Sequence, residues 1–295
     1  MKILVGIDSS PSSEVVLAEV GARPWPDNSV LCVINVLDLF SFPSAIGSVA
    51  PVTDAESKAA ETMVKSAAER LKGSGLAVET ALTEGYPPTS LVEYAHQWNA
   101  DFIVVGSHGH SGISRFLLGS VAQGVVRTAH CSVEIVRQRT EVREGMRILL
   151  GTDGSDYSEA ATQSVASRPW PSGTEVRIVS AVKVITPASD PWYPAGDLAG
   201  RLLEEHKRQA HQFVEEAEQL MRAAGLKTST SVLVDGAKAS LVDEARNWEA
   251  DLVVVGSHGR RGLNRFLMGS VSEAVAMHAH CSVDVIRRKS AQSEQ

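Results

Sequence analysis

The chain repeats itself, and the repeat leaves little choice of architecture. From Trp98 it reads WNADFIVVGSHGHSGISRFLLGSVAQGVVRTAHCSVEIVR, and from Trp248 WEADLVVVGSHGRRGLNRFLMGSVSEAVAMHAHCSVDVIR. MKILVGIDSS at Met1 returns as MRILLGTDGS at Met146, and Arg23-Pro24-Trp25-Pro26 as Arg168-Pro169-Trp170-Pro171. These early matches lie 145 residues apart and the glycine-rich stretches 150, so the second copy carries 5 more residues in between. The extra residues fall near ITPASDPWYPAGDLAG, from Ile185, a Pro/Gly-rich stretch expected to be loop. The charged and polar run QRTEVREG, 138–145, lies between the copies. The expected division is a domain over 1–139, a linker over 140–145, a second domain over 146–289 and a tail over 290–295. A length of 295 residues fits two domains at roughly 150 each.

Within each copy, short apolar runs alternate with stretches of helical spacing. KILVGI is a buried strand followed by Asp8 and a serine-rich turn. EVVLAEVGA then has apolar residues at helical intervals and stops at the PWP turn. VLCVINVL from Val30 is a second strand. Residues 54–72 form a surface helix closed by Gly73 and Gly75, and VETALTEG from Val78 alternates as a strand. A helix runs from Pro88 to Trp98. Copy two repeats the order, with a strand SVLVDG from Ser231 and a helix from Ala237 to Trp248. Strands that alternate with helices and are apolar throughout predict a parallel sheet covered on both faces. In such open sheets ligands bind beyond the carboxyl ends of the strands, where the chain direction across the sheet switches. Asp8 and Gly106 each follow a strand and should meet there.

The glycines fall in step as G-x2-G-x9-G-S: Gly106, Gly109 and Gly119-Ser120, then Gly256, Gly259 and Gly269-Ser270. A glycine at a strand end lets the backbone turn with positive φ and brings N–H groups near a ligand. A helix opening at Ser120 or Ser270 leaves its first N–H groups without intrahelical partners, and with the helix dipole they suit a phosphate. The serine hydroxyl either caps its own helix or donates to a phosphate oxygen. The plainer alternative is a tight strand-to-helix turn. Two copies with the same spacing favour a phosphate cradle.

Composition removes other classes. The net charge is −7, with no basic run to meet a nucleic acid. No apolar run nears the ~18 residues of a membrane span, and Asp8 interrupts the N-terminal apolar stretch too early for a signal peptide. Cys32, Cys131 and Cys281 show no CxxC spacing, and Cys131 and Cys281 hold equivalent places as small core residues. A reducing cytoplasm is the expected location. There is no G-x4-G-K-[ST], G-x-G-x-x-G, HExxH or GxSxG.

Asp after the first strand, G-x2-G-x9-G-S after the fourth and AHCSV before the fifth resemble the universal stress protein family, here as a tandem pair. The resemblance implies a Rossmann-like α/β fold for each domain, five parallel strands in the order 3-2-1-4-5 with helices on both faces. It also implies dimerisation through the last strand, which the two domains could satisfy within one chain, and two chains could pair again. The motif marks the ATP-binding branch of that family. Gly106, Gly109, Gly119, Ser120 and Val121 would then hold the phosphates, as would Gly256, Gly259, Gly269, Ser270 and Val271. Asp8 and Asp153 would face the ribose or a Mg2+ ion on the phosphates, and the base would meet backbone near Val36 and Ala181. The first copy has Asp8-Ser9-Ser10 where the second has Asp153-Gly154-Ser155, so a tightened first turn leaves equal affinity of the two sites open.

Other residues carry two readings each. Asp8 and Asp153 could simply cap the following helix. His108 and His258 lie in GSHG with no carboxylate fixed beside them, which favours a loop-shaping or solvent-facing role. Arg115 and Arg265 could reach a phosphate or bridge the loop. His110 against Arg260 reads as a solvated difference. Trp25, Trp98, Trp170 and Trp248 recur in register as packing anchors, whereas Trp192 has no counterpart. The functional expectation is an ATP-dependent stress sensor or adaptor with an unidentified protein partner. A slow ATPase or phosphotransferase and a nucleotide-free scaffold are the alternatives.

Overall fold

The computed structural model describes residues 1–39, 52–109, 118–139, 143–183, 195–234, 236–260 and 268–288, with backbone alone at 74 and 195–198. His110, Arg115, Trp192 and Arg265 lie outside the described residues. The chain divides into two compact units, Met1–Thr140 with Arg288–Gln295, and Glu141–Arg287.

The first unit runs β1 (Lys2–Gly6), α1 (Pro11–Ala22), β2 (Val30–Asp38), α2 (Asp54–Leu71), β3 (Ala77–Gly85), α3 (Pro87–Gln97), β4 (Phe102–Gly106), α4 (Ser120–Thr128) and β5 (Ser132–Val136). Its strands are parallel and ordered β3-β2-β1-β4-β5. The second unit runs β6 (Arg147–Gly151), α5 (Asp156–Ser167), β7 (Glu175–Val182), α6 (Ala195–Ala223), β8 (Lys227–Val234), α7 (Ala237–Asn247), β9 (Leu252–Gly256), α8 (Ser270–His278) and β10 (Ser282–Ile286). Its order is β8-β7-β6-β9-β10, the same topology, again parallel. Both units are therefore Rossmann-like α/β folds, as the repeat requires.

The apolar strands lie where both faces are covered. Ile3, Leu4, Leu31, Ile34 and Ile103 in the first unit, and Ile148, Leu149, Leu150 and Ile178 in the second, are fully buried. Burying a side chain of that size contributes about 1.5–3 kcal/mol. The outer strands β3 and β8 are polar and half-exposed, and β8 begins four residues before the apolar run SVLV. Its first residues, Lys227 to Thr230, join by backbone pairing with β7 rather than by burial, so apolar patterning misses them. Another difference falls in the stretch read as loop. Its last residues, Ala195 to Gly200, open the 29-residue helix α6. The good helix formers that follow carry the helix back through Gly200, whose Cα faces open space.

In both units the Arg-Pro-Trp-Pro turn is tied to the last strand by an ion pair. Arg23 donates to both Glu134 oxygens, at 2.7 and 2.6 Å, and Arg168 donates to Asp284 at 2.7 Å. The arginines also lie over the turn tryptophans, Arg23 5.5 Å from the Trp25 ring and Arg168 4.6 Å from Trp170. Each of these indoles donates to a carbonyl at the end of the preceding helix, Val20 or Val165. The tryptophans are anchors, and what they anchor is a buried cation.

Glu19 completes the first cluster, accepting from Arg23 at 2.8 Å and from Arg139 at 2.7 Å. Burial pushes its carboxyl up, but the two guanidinium groups outweigh burial and hold it below the usual carboxylate value. A depressed folded value contributes stability that is present above the unfolded value of about 4.3 and lost as pH falls through the folded one. Acid titration of unfolding should therefore give Glu19→Gln a shallower stability loss below about pH 4.3 than the parent. Parallel acid limbs would remove Glu19 from that role.

Candidate functional site

β1 and β4 are neighbours, while the chain leaves β1 toward β2 and β3 on one side and β4 toward β5 on the other. That makes the carboxyl end between them the switch point. A crevice of about 530 Å³ opens there, within the range of small-molecule sites. Asp8, Val36, Gly106, Gly109, Gly119, Ser120 and Val121 all line it. The structure thus brings together every residue expected to form the first site. In the second unit Asp153, Ala181, Gly256, Gly259, Gly269, Ser270 and Val271 stand at the equivalent strand ends and helix start.

Asp8 holds the β1–α1 turn. One carboxylate oxygen, Oδ1, accepts from the Ser10 amide at 3.0 Å, from the Ser10 hydroxyl and from the Ser13 hydroxyl at 2.8 Å. The N-cap of α1 is Ser10, so Asp8 shapes the turn before the helix rather than capping it. Its other oxygen, Oδ2, faces the glycine loop, close enough that a Cβ on Gly109 would come within 3.2 Å. Asp153 bonds the Ser155 amide at 3.1 Å through Oδ1 and the Arg260 amide at 3.1 Å through Oδ2.

The motif glycines work differently from the expectation of positive φ. None of the six has one. They serve close approach instead. A Cβ on Gly106 would meet Ser12 Cβ at 2.8 Å, and one on Gly256 would meet the Tyr157 carbonyl carbon at 2.5 Å. On Gly119 it would stand 3.2 Å from the Ser107 carbonyl oxygen, and on Gly269 3.0 Å from that of Ser257. The Gly119 and Gly269 amides donate to those same carbonyls at 2.8 Å. The glycines let the loop, the turn and the helix start crowd around one point.

Ser120 and Ser270 are the first helical residues of α4 and α8, with Gly119 and Gly269 as N-caps, and no side chain caps either helix. Each serine thus stands at the positive end of its helix. His108 lines the crevice, its Nδ1 2.9 Å from the Ser107 hydroxyl. His258 makes the same contact with Ser257 at 3.0 Å. A serine thus orients each imidazole. His258 does not face solvent: it is 5% exposed, with the Tyr157 ring 4.8 Å from its own.

Several lining residues had no signal in the sequence, Asn35, Asp38, Glu56 and Met63 among them. Asn35 is buried in β2 and donates to the Ile7 carbonyl at 2.8 Å, fixing the crevice wall against the β1 exit. Asp38, Glu56 and Met63 come from the end of β2 and one face of α2. Glu56 closes a capping box with Thr53, whose amide and hydroxyl donate to Oε2 at 2.8 and 2.7 Å. Those bonds, the backbone one foremost, keep its carboxyl below the usual value. No motif marks them, because they belong to elements whose sequence is set by the helix and strand they build.

Fold and crevice together define a doubly wound α/β protein with a crevice at the switch point of the first unit's sheet. The model of the universal stress protein family matches residues 1–137 and 146–287, and the chain belongs to that family as a tandem member. A universal stress protein of Mycobacterium tuberculosis is 33% identical over 219 residues, 72% of this chain and 70% of its own length. One of Mycolicibacterium smegmatis is 28% identical over 300 residues, covering 97% of this chain and 96% of that protein. The crystal structure of a universal stress protein from Archaeoglobus fulgidus matches with a TM-score of 0.68 at 21% identity, over 97% of this chain and 98% of that one. At that identity the likeness concerns the fold alone. No described helix is long and apolar enough to cross a membrane.

Proposed function

We propose that the protein binds ATP in its glycine-loop crevice and acts in the cytoplasm as a nucleotide-dependent stress sensor or adaptor. The observation that carries this reading is the convergence of the motif residues with Asp8 around one cavity at an uncapped helix start. The N–H groups of Ser120 and Val121 and the Ser120 hydroxyl suit phosphate oxygens. Val36 and Leu37, at the end of β2, supply an apolar wall with backbone groups for a base. Function would follow by linkage: nucleotide selects one arrangement of the loop, and a protein partner reads it.

Three carboxylates, Asp8, Asp38 and Glu56, share the described lining. A triphosphate entering beside them meets like charge, which a divalent cation offsets, so the ligand form this crevice suits is Mg-ATP. Isothermal titration of nucleotide-stripped protein with Mg-ATP should give saturable heat. At about 100 times the dissociation constant, the ligand should add about 2.7 kcal/mol to stability, visible as a thermal shift. Chelating the metal should weaken binding by tenfold or more, roughly 1.4 kcal/mol. Neither heat at several temperatures nor a thermal shift would leave the nucleotide reading without support.

A further inference from the structure

The two units differ at corresponding crevice positions, and the differences in side-chain bulk run in one direction. Val64 and Val214, and Leu71 and Met221, are buried at matching places 150 residues apart on α2 and α6. That register puts Phe213 where Met63 lines the first crevice. The Phe213 ring packs directly on Gly154, where an added Cβ would fall 2.3 Å from Cε1. Arg260, at the place of His110, lies over the same ring with its guanidinium carbon 5.0 Å from the centroid. Its amide is held by Asp153 Oδ2 at 3.1 Å. Deeper in, Tyr157 stands where the first unit has Ser12, and its ring covers His258. We infer that the two crevices are unequal: the first admits the nucleotide, and the second is closed by the chain's own Phe213 and Arg260.

This inference rests on the nucleotide reading and reverses the sequence expectation about Ser9. Ser9 does not share the left-handed turn of Gly154, since the described non-glycine residues with positive φ are Asn28, Asn99 and Glu249. Gly154 has φ +71°, and its bare Cα is what seats the phenyl ring. The glycine that makes the second copy look like the better site is thus the floor of its plug. Charge argues the other way. Lys183 replaces Asp38, His206 replaces Glu56, and Arg260 is a further cation, so an anion is attracted to the second unit more than to the first. Attraction through solvent is screened over about 8–10 Å. An occupied volume excludes a ligand outright, so shape decides.

The test is a Mg-ATP titration of the full chain, with four variants, each checked for folding by circular dichroism. The parent should bind one nucleotide. Ser120→Asp puts a carboxylate at the start of α4, which favours the helix and repels phosphate, and should weaken binding at least about hundredfold. Ser270→Asp, at a helix start that a closed second crevice takes out of nucleotide binding, should leave affinity and stoichiometry unchanged. Phe213→Met with Arg260→His, which restore the first-unit residues, should raise the stoichiometry to two. Phe213→Met alone is the fallback if the pair is unstable, and should give a second, weaker site. Two sites in the parent would overturn the inference and keep the nucleotide reading. A single site lost in Ser270→Asp, or a stoichiometry still at one in both Phe213 variants, would overturn it too. No binding by any of them would instead remove the reading beneath it.

Discussion

Replacing Glu134 by alanine should destabilise the first unit by about 3–5 kcal/mol, the cost of leaving a buried charge without its partner. Glu134 is 1% exposed and Arg23 5%, so water cannot take the place of the lost carboxylate. Glu19 remains at 2.8 Å from one guanidinium nitrogen, but it is shared with Arg139. At about 2–4 °C per kcal/mol for a domain of this size, the first unit should melt about 10 °C lower. Hydrogen exchange of the β1 and β4 amides would assign the loss to that unit. Arg23→Met combined with Glu134→Leu should recover most of it, since a well-packed apolar pair replaces a buried ion pair at little cost. An alanine variant within 1 kcal/mol of the parent would show that the pair is not the clamp described here.

Gly256→Ala should cost about 3 kcal/mol, at the upper end of what overpacking does, while Gly106→Ala should cost about 1. The two glycines open the same motif, but their neighbours differ. The new methyl at 256 would strike helix backbone, the Tyr157 carbonyl carbon and oxygen at 2.5 and 2.6 Å and the Ser158 nitrogen at 2.9 Å. None of these can rotate away, so α5 must shift from β9. At 106 the 2.8 Å contact is with the Ser12 Cβ, which rotation cannot move either, but the nearest backbone atom is 3.5 Å off, so α1 has to give by less. Chemical denaturation of both variants gives the comparison, and equal losses would contradict it. The same geometry explains why the first glycine of the motif matters apart from any ligand.

Much of this was written in the sequence. Alternating apolar runs and helical spacing gave the element order, because parallel strands with both faces buried must be apolar throughout. The G-x2-G-x9-G-S of the first copy marked where its crevice opens, because close approach near a helix start admits only residues without side chains. The strand order needed a family resemblance, since periodicity says which segments are strands and nothing of which are neighbours.

The tertiary structure alone decided the rest. Arg23 and Glu134 are 111 residues apart, and neither announces a buried pair. Asn35, Asp38, Glu56 and Met63 reach the crevice only because β2 and α2 lie across from the glycine loop. Gly154 looked like an asset to the second site until Phe213, from a helix in another part of the chain, came to rest on it. Spacing along a chain fixes local conformation, because the backbone links those residues directly. Which side chain fills which space is fixed by the register of elements packed side by side, and that is settled only when they meet.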